Sequence, residues 1–243
     1  MDYGACSKTG CTSSGALSDA YNVTVAQYQN LRAWNYGPAS YDIRNNLVVN
    51  YLWSLPKASS LWNNLLTRGV LDNWQISGIG SYVSGAPGGI GLSVSNAANI
   101  TGGGDGARVV LSCDPMHQAP HTFKHWFNTG CASVPVAGKP ATATTPAVLG
   151  QTGNAPKVNF FLPGDTNFDT ALFKNMPIGD KFMVQLRVET YNTFNHAEFN
   201  GLNSVATFAN ATSSATPQTA ATFGQLNSTL NPRYMQLALR IDF

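Results

Sequence analysis

Cys113, His117, His121, His125 and Cys131 fall within nineteen residues. The three histidines recur every fourth position, the spacing that lines one face of a helix and there could bind zinc. Pro120 directly precedes His121 and opposes a continuous helix. No metal site is therefore read here. The four cysteines form two local pairs, Cys6/Cys11 and Cys113/Cys131, and neither has the CxxC spacing of a zinc ribbon. In an oxidising compartment each pair could close a small disulfide loop. Three connectivities stay open.

Two further groups invite chemistry. Gly102-Gly103-Gly104-Asp105-Gly106 has the look of a phosphate or calcium loop. It lacks the Lys-Ser/Thr of a P-loop and the terminal Glu of an EF-hand, so a plain flexible loop is expected. His196 stands beside Glu198, a conceivable acid/base pair. No nucleophile elbow accompanies it. No catalytic residue, cofactor or metal is expected, and the chain does not read as an enzyme.

Composition sets the class. Only 11% of the 243 residues are charged, against about 25% in an ordinary soluble protein. Yet no stretch approaches the roughly 20 apolar residues of a membrane helix. The net charge is +2 without a Lys/Arg cluster, which sets nucleic acid aside. The opening residues, MDYGACSKTG, have no basic region followed by an apolar core. An export signal is expected upstream, with the chain a fragment or a truncated reading frame.

Period-two segments supply the missing hydrophobicity. In the last residues, Pro232–Phe243, one parity holds Met235, Leu237, Leu239, Ile241 and Phe243. The other holds Tyr234, Gln236, Ala238, Arg240 and Asp242. One apolar and one polar face is the mark of a strand at a boundary. Lys181–Tyr191 repeats the design: Phe182, Val184, Leu186 and Val188 alternate with residues that include Arg187 and Glu189, placed to pair. In a membrane barrel Arg187, Glu189, Arg240 and Asp242 would face the lumen.

Three more strands are expected. Arg44–Ser54 puts Leu47, Val49, Tyr51 and Trp53 on one side. Leu71–Ser84 gathers Trp74, Ile76 and Tyr82, although Gly78 and Gly80 blur its pattern. Asn167–Asn175 is shorter, and Pro177 and Gly179 should break the chain into a tight hairpin before the next strand. The predicted strands lie near 44–54, 71–84, 165–175, 181–192 and 232–243. A short amphipathic helix is possible around Ser60–Leu66. Trp34, Tyr51, Trp53, Trp74 and Tyr82 could form interfacial girdles.

Connections alternate in length. Residues 55–70 and 176–180 are the shorter links, whereas 85–164 and 193–231 are long. Such loops are anomalous inside a compact domain. They suit a barrel with short periplasmic turns and long extracellular loops.

The segments also resemble a known family. GPASYDIRNNLVVNYLWSLP (37–56), DNWQISGIGSYVSGAP (72–87), HWFNTGCASVP (125–135), the block 149–178 ending TALFKNMPI, RVETYNTFNHAEFN (187–200) and FGQLNSTLNPRYMQLALRIDF (223–243) keep the order of matching blocks in TonB-dependent outer-membrane receptors. The similarity is greatest to the Oar-like group with a carboxypeptidase regulatory domain, and it covers roughly residues 37–243. Asn45-Asn46 replaces that group's Arg-His, Ala155-Pro156 replaces its Gly-Arg, and Cys131 interrupts its Ala-Phe block.

The resemblance implies an all-β fold: about five or six antiparallel strands of a roughly 22-stranded transmembrane barrel, with long extracellular loops. Residues 1–36 would be an N-terminal loop or partial strand, and 37–243 the C-terminal part of the barrel. It places the chain in the outer membrane of a Gram-negative-type bacterium. Met235, Leu237, Leu239, Ile241 and Phe243 become the signal read by the barrel-assembly machinery. The histidines fall in an extracellular loop, with a Cys113–Cys131 disulfide beside them. Implied partners are outer-membrane lipid, the rest of the barrel, a plug domain, the TonB system acting through that plug, and a large solute of unknown identity. Five strands cannot close, so the segment alone should not transport. The rival expectation is a secreted, disulfide-containing β-sandwich used for binding or adhesion, in which a second sheet covers the apolar face.

Overall fold

The computed structural model describes residues 31–61, 64, 67–96, 100–101, 106–139, 142–179 and 182–243. Its described regular structure is dominated by β-strands, mostly in antiparallel pairs, and it divides into two compact units. Cys6 and Cys11 lie outside the described residues, as do Gly102–Asp105.

One unit comprises Arg44–Ser84, Gly164–Phe199 and Thr229–Phe243. It is a five-stranded sheet of β1 (Asn46–Ser54), β2 (Trp74–Val83), β3 (Asp165–Ile178), β4 (Phe182–Tyr191) and β5 (Tyr234–Asp242). Spatial order follows chain order and every pairing is antiparallel, an up-and-down meander. No closed barrel is formed by the described strands; β1 and β5 are open edges.

Four of the strands follow the predicted segments to within a few residues. β3 is longer than expected. It runs through Pro177, which pairs with Met183, and ends at Ile178 opposite Phe182. Proline removes one ladder donor, which a strand tolerates near its end. The break falls instead at Gly179, whose φ of 62° suits glycine. The link between β1 and β2 holds a 3-10 turn at Ala58–Ser60 and a π-helical turn at Thr67–Leu71; most of the stretch Ser60–Leu66, where a short helix is expected, lies outside the described residues. That link is tied down locally. Ser59 N donates to Asp72 Oδ1 at 2.9 Å, and Trp74 Nε1 donates to Val70 O at 2.7 Å. The hydrogen bonds from Ser59 hold the Asp72 carboxyl below its ordinary range.

The other unit draws on residues up to Ile43, on Gly85–Pro163 and on Asn200–Ser228. These long connections are ordered around a core of their own, centred on Val109, Phe127, Val134, Phe160, Phe208 and Phe223. Phe127 stacks on Phe160 and meets Phe223 edge-on, each at 5.3 Å. Short ladders stitch distant stretches together: Gly91–Val94 pairs in parallel with Val205–Phe208, and Pro87–Gly88 pairs with Phe160–Phe161. Trp34, expected in a girdle, is buried here instead. Arg108 lies 4.3 Å over its ring and donates to Trp34 O at 2.7 Å. Burial pulls the Arg108 guanidinium down to about 10.

Candidate functional site

Register decides which side chains share a face of the sheet, because a one-residue slip would move a whole strand's set to the other side. Leu47, Val49 and Trp53 on β1 stand opposite Tyr82, Gly80 and Ile76 on β2. Ile76 stands opposite Leu172 on β3, and Leu172 opposite Val188 on β4. Val188, Leu186 and Val184 stand opposite Leu237, Leu239 and Ile241 on β5. Five apolar stripes thus merge into one continuous apolar face.

That face is uncovered within this unit. Leu237 is 73% exposed, and Leu47, Trp53, Met235, Leu239 and Ile241 each keep more than half their surface. Burying a side chain of this size is worth about 1.5–3 kcal/mol. A contiguous apolar patch of this kind marks a surface that another apolar phase covers. Water is therefore the wrong solvent for it.

The two β2 glycines sit on this face under aromatic rings. Tyr51 crosses Gly78, and a Cβ built on Gly80 would stand 3.0 Å from the Phe168 ring. Phe168 meets Tyr82 edge-on at 5.5 Å and Phe194 edge-on at 5.2 Å. Lys174 is the one cation in register with the stripe, opposite Trp74. It is 4% exposed. Its Nζ donates to Asp72 O and lies 5.4 Å from the Trp74 ring centre. The ammonium is thus held against the backbone just ahead of the start of β2, out of solvent. Nothing in the sequence patterning singled this residue out.

The opposite face is polar on β3, β4 and β5. Arg240 Nε bonds Asp242 Oδ1 at 2.8 Å. Arg187 does not pair with Glu189 as its spacing suggested. Its guanidinium lies 5.3 Å from the centre of the Phe173 ring, its register partner, and Nε donates to Gln185 Oε1 at 2.6 Å. Glu189 accepts from Tyr191 Oη at 3.5 Å. Gln185 Nε2 in turn reaches Asn175 Oδ1 on β3 at 2.7 Å. Toward β1 and β2 this face is less polar, with Val48, Leu52 and Ile79 exposed on it.

The candidate chemical groups do not converge. Cys113 and Cys131 form a disulfide with Cα atoms 5.2 Å apart. His117, His121 and His125 share no helix: His121 adopts φ 49° and packs edge-on against Trp126. Among the described residues no three His, Cys, Asp or Glu side chains come together as metal ligands. His196 Nδ1 does bond Glu198 Oε1 at 2.6 Å. The pair is held by Asn192, whose Oδ1 accepts from His196 N at 2.9 Å.

All strand starts of β1, β3 and β5 lie at one end of the sheet, beside the ends of β2 and β4. Both long connections leave from that end. Among the described residues no helix is long and apolar enough to cross a membrane. A family model described as "Outer membrane beta barrel domain" matches residues 7–236. No curated protein and no solved structure matches the chain.

Proposed function

This chain belongs to the outer membrane beta barrel domain family and is a protein of the outer membrane, and on that basis we propose that it is the C-terminal barrel segment of a TonB-dependent receptor for large solutes. The observation that carries the reading is the shared register of five apolar stripes, from Leu47 on β1 to Leu239 on β5. It builds a wall with lipid on one side and Arg187, Gln185, Arg240 and Asp242 on the other.

The segment works as part of a larger assembly. The smallest barrels use about eight strands, and receptors of this class about 22. The open edges of β1 and β5 would pair with further strands, and transport would need the plug that couples to TonB. Residues 1–36 would precede this barrel part and 37–243 compose it. The stretches 85–164 and 193–231 would carry solute recognition, as loops on a rigid scaffold do. The wall has no catalytic role and no nucleic-acid partner.

The terminal strand offers the test. Met235, Leu237, Leu239, Ile241 and Phe243 would present the assembly machinery with an apolar stripe ending in an aromatic ring. The full receptor that carries this segment is expressed with and without Phe243, and the outer-membrane fraction is assayed. Loss of the truncated chain from that fraction supports the reading. A mild effect would favour the secreted sandwich. TonB coupling is tested separately, by uptake of large solutes through the full receptor in cells with and without TonB. Equal uptake in both would leave a barrel of another kind.

A further inference from the structure

At the end of the sheet from which the long connections leave, the apolar face finishes in a row of rings. Tyr82 on β2, Phe168 on β3 and Phe194 just beyond β4 meet edge-on in sequence. Phe194 is 72% exposed. Rings at this height are expected where acyl chains give way to headgroups.

A cation is fastened to the two residues that flank the last of these rings. Arg233, immediately before β5, donates through its backbone N–H to Asn195 Oδ1 at 3.0 Å and through Nη1 to Thr193 O at 3.4 Å. These two contacts flank Phe194 in the chain. Arg233 is exposed, and among the described residues its side chain makes no ion pair. A guanidinium has five N–H donors in a planar fork, so most of this one faces outward. Two carboxylates of this unit already have partners. Glu198 is buried against His196, and Asp169 accepts from Asn167 Nδ2 and Asn192 N.

We infer that Arg233, beside the ring row of Tyr82, Phe168 and Phe194, forms a binding site for the phosphate of an anionic lipid headgroup at the outer rim of the barrel. The inference rests on the membrane reading proposed above, with the long-connection end facing outward. A guanidinium fork matches a phosphate in bidentate geometry. The rings beside it supply the apolar shelf on which the acyl chains of the same lipid lie. A lipid is favoured over a free phosphate because the cation is continuous with the face that needs hydrocarbon.

The test uses the full chain in micelles of an uncharged detergent, with retained lipid counted by native mass spectrometry. Phosphatidic acid should be retained at lower concentration than an uncharged diacylglycerol glycolipid with the same acyl chains. Arg233→Ala should lower that preference about five-fold, the share of one basic residue at an anionic surface. Arg233→Lys should keep part of it, and Phe194→Ala should weaken retention of both lipids. Equal retention of the two lipids, or a preference unchanged in Arg233→Glu, overturns the inference while leaving the barrel reading intact. A chain that is monodisperse without detergent and retains neither lipid would defeat the barrel reading itself.

Discussion

Tyr51 on β1 lies across Gly78 on β2, and its hydroxyl reaches Thr170 Oγ1 on β3 at 3.3 Å. One side chain therefore ties three strands together over a residue that has no side chain of its own. A Cβ at position 78 would meet the Tyr51 ring and would stand 2.7 Å from Asp169 O on the neighbouring strand. Glycine within a strand marks such a close approach, and an aromatic neighbour covers the gap it leaves. Gly78→Val is expected to destabilise the sheet by about 1–3 kcal/mol, the usual cost of overpacking. Tyr51→Ala should restore little of this, because the contact with Asp169 O remains. Urea midpoints of the chain in detergent check it. Full rescue by Tyr51→Ala would place the strain on the ring alone.

The disulfide acts on the other unit. Cys113 and Cys131 are 18 residues apart. Closing a loop of that length restricts the unfolded chain by about 3 kcal/mol. Reduction, or the double change Cys113→Ser with Cys131→Ser, should lower the thermal midpoint of the unit built on Phe127 and Phe160. The five-stranded sheet should keep its strand signal in circular dichroism. Simultaneous loss of both would mean that the two units unfold as one.

Asp72 sets a pH dependence for the link between β1 and β2. Its hydrogen bonds from Ser59 lower its pKa in the folded chain below the ordinary 3.8. The stabilisation is therefore complete above the unfolded value and is lost as pH falls through the lower, folded one. The Ser59 amide proton should hold its chemical shift down to about pH 4, the range of an ordinary Asp, and move below it. Asp72→Asn should abolish that titration. A Ser59 shift that titrates identically in Asp72→Asn would assign the effect to another group.

Much of the sheet was legible because alternation is local. β4 and β5 carry clean parity, and the pairing of Leu237 with Val188 follows from it. β2 was harder to read, since Gly78 and Gly80 contribute nothing to a hydrophobic pattern and depend on Tyr51 and Phe168 from neighbouring strands. The end of β3 was misplaced because Pro177 reads as a breaker when its position in the ladder is unknown. Arg187 illustrates another limit: spacing placed it beside Glu189, but Phe173, set opposite it by register, drew it toward Gln185. The core of Val109, Phe127, Val134, Phe160, Phe208 and Phe223 was invisible. Its members come singly from stretches about a hundred residues apart, and no period links them. Lys174 shares parity with Leu172 and Met176, so a single charge interrupts an apolar stripe, and only the structure shows the Asp72 carbonyl that receives it.

Lipid against the odd-numbered side of β5 is the central claim, and site-directed spin labelling measures it directly. Single labels at positions 234 to 241 are read in reconstituted bilayers for collision with oxygen, which concentrates in hydrocarbon, and with a water-soluble nickel chelate. The account predicts alternation: labels replacing Met235, Leu237, Leu239 and Ile241 meet oxygen, and labels replacing Gln236, Ala238 and Arg240 meet nickel. Odd-numbered labels shielded from both reagents would show that protein, not lipid, covers the apolar face, and would contradict it.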